Sequence, residues 1–474
     1  MRLKPIVLTD KSFAWLILLA ASSLLCTLFL PSVGEEGVYT NITLEMMHNK
    51  NYLVPTLYGV QYSRPPLFNW LIMLYTQVLG PTHVVLAARL VNITATLVTA
   101  GGLIWFTRRI FAKQHLALLA AAVYLSGDLL FKRGWLAYAD SLFSLFIFTA
   151  IVCLWLALEY KQKRWLLGAV ISLSCGFLSK IHTVYVFYGI AGLVLLWQHP
   201  NRKYLFSPFS CLLHLLALAF PLYWTLSVMH GYGGMGTTWL QSQSFLAWPG
   251  LLTYAQRILI TYPLDIVLRF FFFFLIAAYL LYKLRSAPAL TAPPLAIRII
   301  FWLTLLNLLP YWLVPTSNIR YILPLYPFIA LLIAYVIWQA SDAVRKLAVH
   351  GLLAAISLNF VYACWWLPYE HTAYRGNAAT AAQQILTRTA NSNLYINDST
   401  SAGLRVAVEL NKLRYPSPPL TVAPAKFTGY VLADNINPPL GELVKIYKLR
   451  NNKLYLFFNA GTGYSIVNCR PGNC

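Results

Sequence analysis

Long apolar stretches broken by short polar ones run through the first three quarters of the chain. A run of about 20 apolar residues is enough for a helix to cross a bilayer. About eleven such runs stand out, roughly 13–31, 82–107, 114–130, 138–159, 165–179, 182–198, 207–229, 260–282, 296–314, 320–340 and 347–368. The first, FAWLILLAASSLLCTLFLP, follows Arg2, Lys4 and Lys11 and so has the outline of a signal peptide. The spans behind it make it a retained helix. PPLFNWLIMLYTQVLG is apolar but short, and is expected to lie along the membrane surface or dip into it.

After residue 368 the period changes. NLYIND, TGYVLAD, VKIYKL and KLYLFFNA alternate like half-buried strands, and AATAAQQILTRTA and AGLRVAVELNKLR read as helices between them. Two domains are expected: an α-helical multi-span membrane domain over 1–368, with about 11 or more transmembrane helices and a functional loop at 32–81, and a small α/β domain over 369–474.

Composition agrees with the pattern. Of 474 residues, 59% are hydrophobic and 11% charged, where a soluble domain carries roughly 25% charged residues. The net charge of +22 would suit a nucleic-acid binder, but its distribution excludes that partner. The cations gather in TRRIFAK, EYKQKRW, NRKY, YKLRSAP and SDAVRK, all alternate connections between spans. With the N-terminus inside, these loops and the N-terminal tail hold roughly sixteen Lys and Arg against about six or seven outside, as the positive-inside rule expects. An odd number of spans then puts the C-terminal domain outside the cytoplasm.

Charge becomes informative where it is scarce. Of fourteen acidic residues, five lie from Glu370 onward, and Asp10, Glu159 and Asp342 accompany inner basic loops. Glu35, Glu36, Glu45, Asp128, Asp140 and Asp265 remain, placed outside or in outer half-spans together with Arg64, Lys132, Arg133, Lys180, Arg257 and Arg320. Charge near a span end is costly, and a single one is explained by snorkelling to the interface. A whole set on one face points to a cavity at the outer surface. Arg and Lys donors suit a phosphate, a carboxylate suits a general base, and an apolar slot beside them suits a lipid tail. The residues alone leave two readings open: group transfer from a lipid-linked phosphate, and transport.

Other features add little. His48, His182, His230 and His371 have no metal-ligand spacing, so a divalent metal, though compatible with the chemistry, finds no support. GYGGMG at 231–236 follows no strand and reads as an outer loop. Of seven cysteines, Cys26, Cys153, Cys175, Cys211 and Cys364 lie in apolar runs, while Cys469 and Cys474 flank RPGN and could close a small loop in an oxidising compartment.

The stretch GEEGVYTNITLEMMHNKNYLVPTLYGVQYSRPPLFNW, residues 34–70, resembles the first outer loop of the polyprenyl-phosphate-sugar-dependent membrane glycosyltransferases related to aminoarabinose (lipid A) and protein mannosyl transferases, the GT-C fold. The matching elements are Glu35-Glu36, Tyr39, Leu53-Val54-Pro55, Gly59, Tyr62 and Arg64-Pro65-Pro66-Leu67. ARLVN around Arg89, GWLAYADSLFSLF around Asp140, GFLSK ending in Lys180, and SNIRYILPLYPFIALLIAY with Arg320 and Tyr321 resemble later motifs of the family, in order.

The resemblance implies a role for each position. Glu35, Glu36 and Asp140 would be the catalytic acids, with Glu35 as general base, Asp140 holding acceptor or sugar, and Glu36 supporting. Arg64, Lys180 and Arg320 would bind the donor phosphate, with Tyr39, Tyr62, Arg89, Arg257 and Tyr321 in support. The partners implied are a polyprenyl-phosphate-linked sugar, undecaprenyl phosphate in a bacterium, the lipid bilayer, and an envelope glycolipid, glycan or protein acceptor, with no cofactor and an inner-membrane location. Glu35 stands where the family usually has Asp, Val38 and Ser63 replace an Arg and a Glu of the aminoarabinose branch, and SKIHT replaces its Lys-Gly-Pro. Sugar and acceptor are therefore left open. The rival readings are a lipid or oligosaccharide transporter and a non-catalytic polyprenyl-phosphate-binding protein.

Overall fold

The computed structural model describes residues 10–62, 64–127, 132–228, 250–269, 293–314, 318–371, 376–390, 392–436, 440–449 and 452–461. Asp128, His230, the 231–236 glycine segment, Cys469, Cys474 and the part of the 260–282 span beyond 269 lie outside these residues.

The helices in chain order are α1 (Asp10–Leu25), α2 (Glu36–Asn49), α3 (Leu67–Leu79), α4 (Val84–Phe111), α5 (Gln114–Ser126), α6 (Asp140–Tyr160), α7 (Lys163–Lys180), α8 (Thr183–Gln198), α9 (Pro208–Val228), α10 (Leu251–Gln256), α11 (Tyr262–Arg269), α12 (Leu295–Leu313), α13 (Tyr326–Trp338), α14 (Asp342–Val361), α15 (Ala378–Thr389) and α16 (Ser401–Arg414). Six helical stretches among the described residues are long and apolar enough to cross a membrane: Pro81–Phe111, Asp140–Tyr160, Pro208–Val228, Leu295–Leu313, Ile319–Trp338 and Asp342–Tyr369. Three further apolar helices, α3, α5 and α8, are shorter. α3 has 13 residues, about 20 Å of helix and less than a bilayer core.

The chain folds into two compact units. The first comprises Met1–Leu25, Ile93–Trp135 and Ala139–Phe360; the second comprises Cys26–Asn92, Leu136–Tyr138 and Val361–Cys474.

In the first unit, α6 and α7 form the most extensive helix pair among the described residues. Only Lys161 and Gln162 separate them, with Lys161 in the left-handed conformation (φ 52°) that turns the chain back. α6 is apolar nearly all round and buried along its length, from Leu142 to Leu158, as an interior membrane helix must be. Phe106, Phe148, Trp155 and Phe328 interlock by edge-on and tilted contacts with centroids 5.4–6.5 Å apart.

The second unit is organised around a helix of another kind. α2 carries Thr40, Asn41, Thr43 and Glu45, yet Glu36 through Met46 are all buried. Buried polar groups need partners, and here they have them. Thr40 and Thr43 donate back to Glu36 O and Tyr39 O at 2.8 Å, and Asn69 Nδ2 donates to Tyr39 O at 2.8 Å. On another face α2 packs against α16. Asn41 Nδ2 donates to Leu404 O at 3.2 Å, and Asn411 Nδ2 donates to Asn41 Oδ1 at 2.8 Å. A Cβ on Gly37 would come within 2.7 Å of Leu404 O, so only glycine allows this approach.

Beyond α2 and α16 lies a four-stranded sheet of β3 (Leu394–Asn397), β4 (Thr428–Ala433), β5 (Glu442–Leu449) and β6 (Asn452–Ala460), in the order β3-β4-β6-β5. β3 and β4 run parallel, with Leu394 opposite Tyr430, and the other pairs are antiparallel. Thr400 caps α16 by accepting from Gly403 N, and Asn377 caps α15 by accepting from Ala379 N and Thr380 N.

Candidate functional site

Charged and aromatic residues named from the sequence gather into two clusters, one in each unit.

In the second unit the adjacent glutamates part company. Gly34 (φ 54°) turns the chain just before α2, and a Cβ there would lie 2.7 Å from the Tyr138 hydroxyl. Glu36 then points inward. Its Oε1 and Oε2 accept from Arg89 Nε at 2.9 Å and Nη2 at 2.6 Å, and also from Ala137 N at 2.9 Å and Val33 N at 2.7 Å. Both side chains are 0% exposed. Arg89 spends its remaining donors on Thr27 O, Leu28 O, Leu30 O and Pro31 O at 2.5–3.1 Å. An ion pair this buried is sustained by such extra hydrogen bonds. It ties the start of α2 and the chain before it to α4.

Glu35 is exposed, and its backbone N–H donates to the Tyr138 hydroxyl at 3.1 Å. Asn92 anchors the Tyr138 segment by donating to Tyr138 O at 2.8 Å and to Leu136 O. Arg64 Nη1 donates to the Tyr39 hydroxyl at 2.9 Å, and the Tyr39 ring meets Phe68 edge-on at 5.0 Å. Tyr62 feels both charges. Burial pushes its hydroxyl pKa up, the Arg64 cation pulls it down, and the Glu35 carboxylate pushes it up again. Glu35, Tyr39, Tyr62 and Arg64 are thus brought together.

In the first unit Asp140, the first residue of α6, forms an ion pair with Lys180, the last residue of α7. The side chains are 6% and 17% exposed. Each charge complements the macrodipole of its own helix end, worth about 0.3–1 kcal/mol. Lys180 Nζ also lies over the Tyr321 ring at 4.8 Å and the Phe143 ring at 5.6 Å, and Arg320 lies over Tyr321 at 5.5 Å. Asp140, Lys180, Arg320 and Tyr321 therefore form one cluster. Arg257 sits instead against Tyr262, 5.5 Å from its centroid.

Sequence reasoning assigned Asp140 and Lys180 to separate tasks and missed that they pair. The signal was present: two spans of similar length joined by two residues bring the start of one to the end of the other. It also left Glu45 without a part. That residue is buried near the end of α2 and accepts from Tyr58 N at 2.5 Å, Gly59 N at 3.0 Å and Thr56 Oγ1 at 2.8 Å. Burial outweighs those bonds and pushes its carboxyl pKa up to about 7. The three donors belong to a hairpin of β1 (Thr56–Leu57) and β2 (Val60–Gln61), whose turn residues Tyr58 (φ 57°) and Gly59 (φ 79°) are both left-handed, the two-residue turn that suits strand twist. Tyr58 has a Cβ, so that conformation costs about 1–2 kcal/mol.

Among the described residues no group of three His, Cys, Asp or Glu side chains is placed to hold a metal ion.

This is an integral membrane protein with the GT-C membrane fold. The likeness extends over nearly the whole chain: the crystal structure of ArnT from Cupriavidus metallidurans bound to undecaprenyl phosphate matches with a TM-score of 0.67, covering 94% of this chain and 98% of that one at 12% identity. The same protein in the apo state gives a TM-score of 0.66 at 14% identity. The family model for dolichyl-phosphate-mannose-protein mannosyltransferase matches residues 63–224. Among curated proteins, the undecaprenyl phosphate-alpha-4-amino-4-deoxy-L-arabinose arabinosyl transferase of Yersinia enterocolitica is 29% identical over 145 residues, 30% of this chain and 26% of that protein. The transferase of the same description from Pseudomonas paraeruginosa is 28% identical over 229 residues, 46% of this chain and 41% of that protein. The chain is similar to these transferases over well under two thirds of the length of either curated protein.

Proposed function

We propose that this protein is an inverting glycosyltransferase that moves a monosaccharide from polyprenyl phosphate, undecaprenyl phosphate in a bacterium, to an envelope glycolipid, glycan or protein. The reaction takes place on the extracytoplasmic face of the inner membrane, with the membrane domain over 1–368 carrying the loop 32–81 and the domain over 369–474 on the same side. The observation that carries this reading is the exposed Glu35 beside Tyr62 and Arg64, with its neighbour Glu36 withdrawn into a saturated ion pair. Of the two acids, Glu35 is the one presented to a substrate.

In the proposed reaction Glu35 accepts the proton of the acceptor hydroxyl as its oxygen attacks the anomeric carbon. The bond from that carbon to the phosphate oxygen breaks, and the electron pair leaves with the phosphate. Arg64 takes the growing negative charge, and the expected phosphate-binding part of Lys180 and Arg320 belongs to the same proposal. Phosphate is a fair leaving group, so positioning and charge stabilisation carry much of the rate. Glu36 and Arg89 are positioning residues: they set the start of α2 and hence where Glu35 points.

The test is transfer from a panel of radiolabelled polyprenyl-phosphate sugars in purified membranes, native chain against Glu35→Gln. One donor should support transfer, and the substitution should lower the rate about 10²–10⁴-fold while donor binding persists. Donor binding without turnover in the native chain, across a range of acceptors, would make it a binding protein. No binding would overturn this reading and reopen the transporter alternative.

A further inference from the structure

Glu45 lies within the stretch 34–70 but is none of the residues matched to the family there, yet both its oxygens are engaged. They face the hairpin: Oε1 takes the Tyr58 N–H, and Oε2 takes the Gly59 N–H and the Thr56 hydroxyl. Tyr58 and Gly59 are the two left-handed turn residues, and Thr56 opens the first strand. A turn with a tyrosine at positive φ needs something to hold it. From the other side, Val422 N donates to Tyr58 O at 2.9 Å. The hairpin closes at its base where Tyr62 N donates to Pro55 O at 2.8 Å. Tyr62 feels the charge of Arg64, and Arg64 reaches the Tyr39 hydroxyl on α2.

Glu45 and Tyr39 are thus two points on one helix, one holding the hairpin over 56–61 and the other meeting Arg64. The first holds the turn through three hydrogen bonds, and the second receives the cation. We infer that Glu45 is a positioning residue for the donor phosphate: it sets the hairpin, and through the hairpin it sets Arg64. This rests on the reading of Arg64 as a phosphate ligand. Arg64 carries the charge, but it lies in neither strand nor helix, between β2 and α3, so its place is inherited from the hairpin behind it.

The experiment measures undecaprenyl phosphate binding to the full-length protein in nanodiscs, with folding checked by thermal melting of each variant. Glu45→Ala is expected to weaken binding about tenfold, and Arg64→Ala by at least as much. The double variant should be no weaker than Arg64→Ala alone, because a group that acts through another adds nothing once that other is gone. Thr56→Val, which deletes one of the three bonds and keeps the volume, should weaken binding about twofold to threefold and stands in should Glu45→Ala fail to fold. In transfer assays KM for the donor should rise with the lost binding and kcat should fall as well, because Arg64 also meets the charge that grows on the departing phosphate. Binding within twofold of native in folded Glu45→Ala, or losses that simply multiply in the double variant, would overturn the inference and leave the proposed function standing. Native protein that does not bind undecaprenyl phosphate would overturn the proposed function and this inference with it, while equal binding without Arg64 would overturn the part given to Arg64 and the inference that depends on it.

Discussion

Glu36–Arg89 in one unit and Asp140–Lys180 in the other both join the start of a helix to a distant cation, and the two pairs are built for different purposes. Glu36–Arg89 is sealed, with neither side chain exposed, and backbone groups consume the lone pairs and donors the pair leaves over. Asp140–Lys180 is partly open, 6% and 17% exposed, and its cation faces aromatic rings as well as the carboxylate. A sealed pair is architecture, because any change of partner strands a buried charge. A partly open pair can exchange its partner for a substrate anion at much lower cost.

The largest effect expected from this difference is on stability. Replacing Arg89 by Ala, or Glu36 by Ala, should cost about 3–5 kcal/mol, the range for breaking a buried pair. Chemical or thermal denaturation would read this as a large drop in midpoint or as loss of folded protein. Asp140→Asn should cost only ~1–2 kcal/mol, between the surface and buried limits. In the part the family resemblance implies for Asp140, holding acceptor or sugar, the substitution should instead lower transfer about 10²-fold, the cost of a misplaced reactant. Equal stability losses in Glu36→Ala and Asp140→Asn would erase the distinction.

A subtler effect comes from buried carboxylates held by neutral donors. Glu45 accepts from two backbone N–H groups and a threonine hydroxyl, and Asp398 from Thr400 N. Burial raises Glu45 from 4.5 to about 7 and Asp398 from 3.8 to about 6. A raised folded-state pKa means that the folded protein binds protons more tightly than the unfolded chain, so ionisation opposes folding. The stability these two groups contribute should be fully present below about pH 4. Roughly 3 kcal/mol apiece should then be lost as pH rises through about 6 for Asp398 and about 7 for Glu45. Hydrogen exchange of the α2 and α16 amides at pH 5 and pH 8, corrected for intrinsic rates, measures it. Glu45→Gln should flatten the dependence, whereas Asp140→Asn in the other unit should leave it unchanged.

Much of the fold was legible because apolar length is a one-dimensional property. α4, α6, α9, α12, α13 and α14 all fall within or largely within the apolar runs, since a helix that must shield its backbone from lipid needs such a run wherever it sits. α2 was not legible as a helix. GVYTNITLEM has neither the apolar length of a span nor the stripe of an amphipathic helix, and it is helical because α16 and its own neighbours satisfy its polar side chains. Local pattern has no access to partners more than 300 residues away.

The site divides along the same line. The chemistry was visible in residue type and order: two acids after a span, a cation before Pro65-Pro66, an aspartate opening one helix and a lysine closing the next. Those residues, together with the long apolar runs, carried the membrane class, the set of candidate acids and cations, and the family resemblance. Packing settled which of two adjacent glutamates is exposed and which is a buried strut. It also made Asp140 and Lys180 partners, and set Glu45 to hold a hairpin. The physical reason is that burial and pairing are properties of where a side chain ends up. Glu35 and Glu36 differ by one position in the chain, which at 3.6 residues per helical turn is about 100° of rotation, enough to turn one carboxylate out and the other into Arg89.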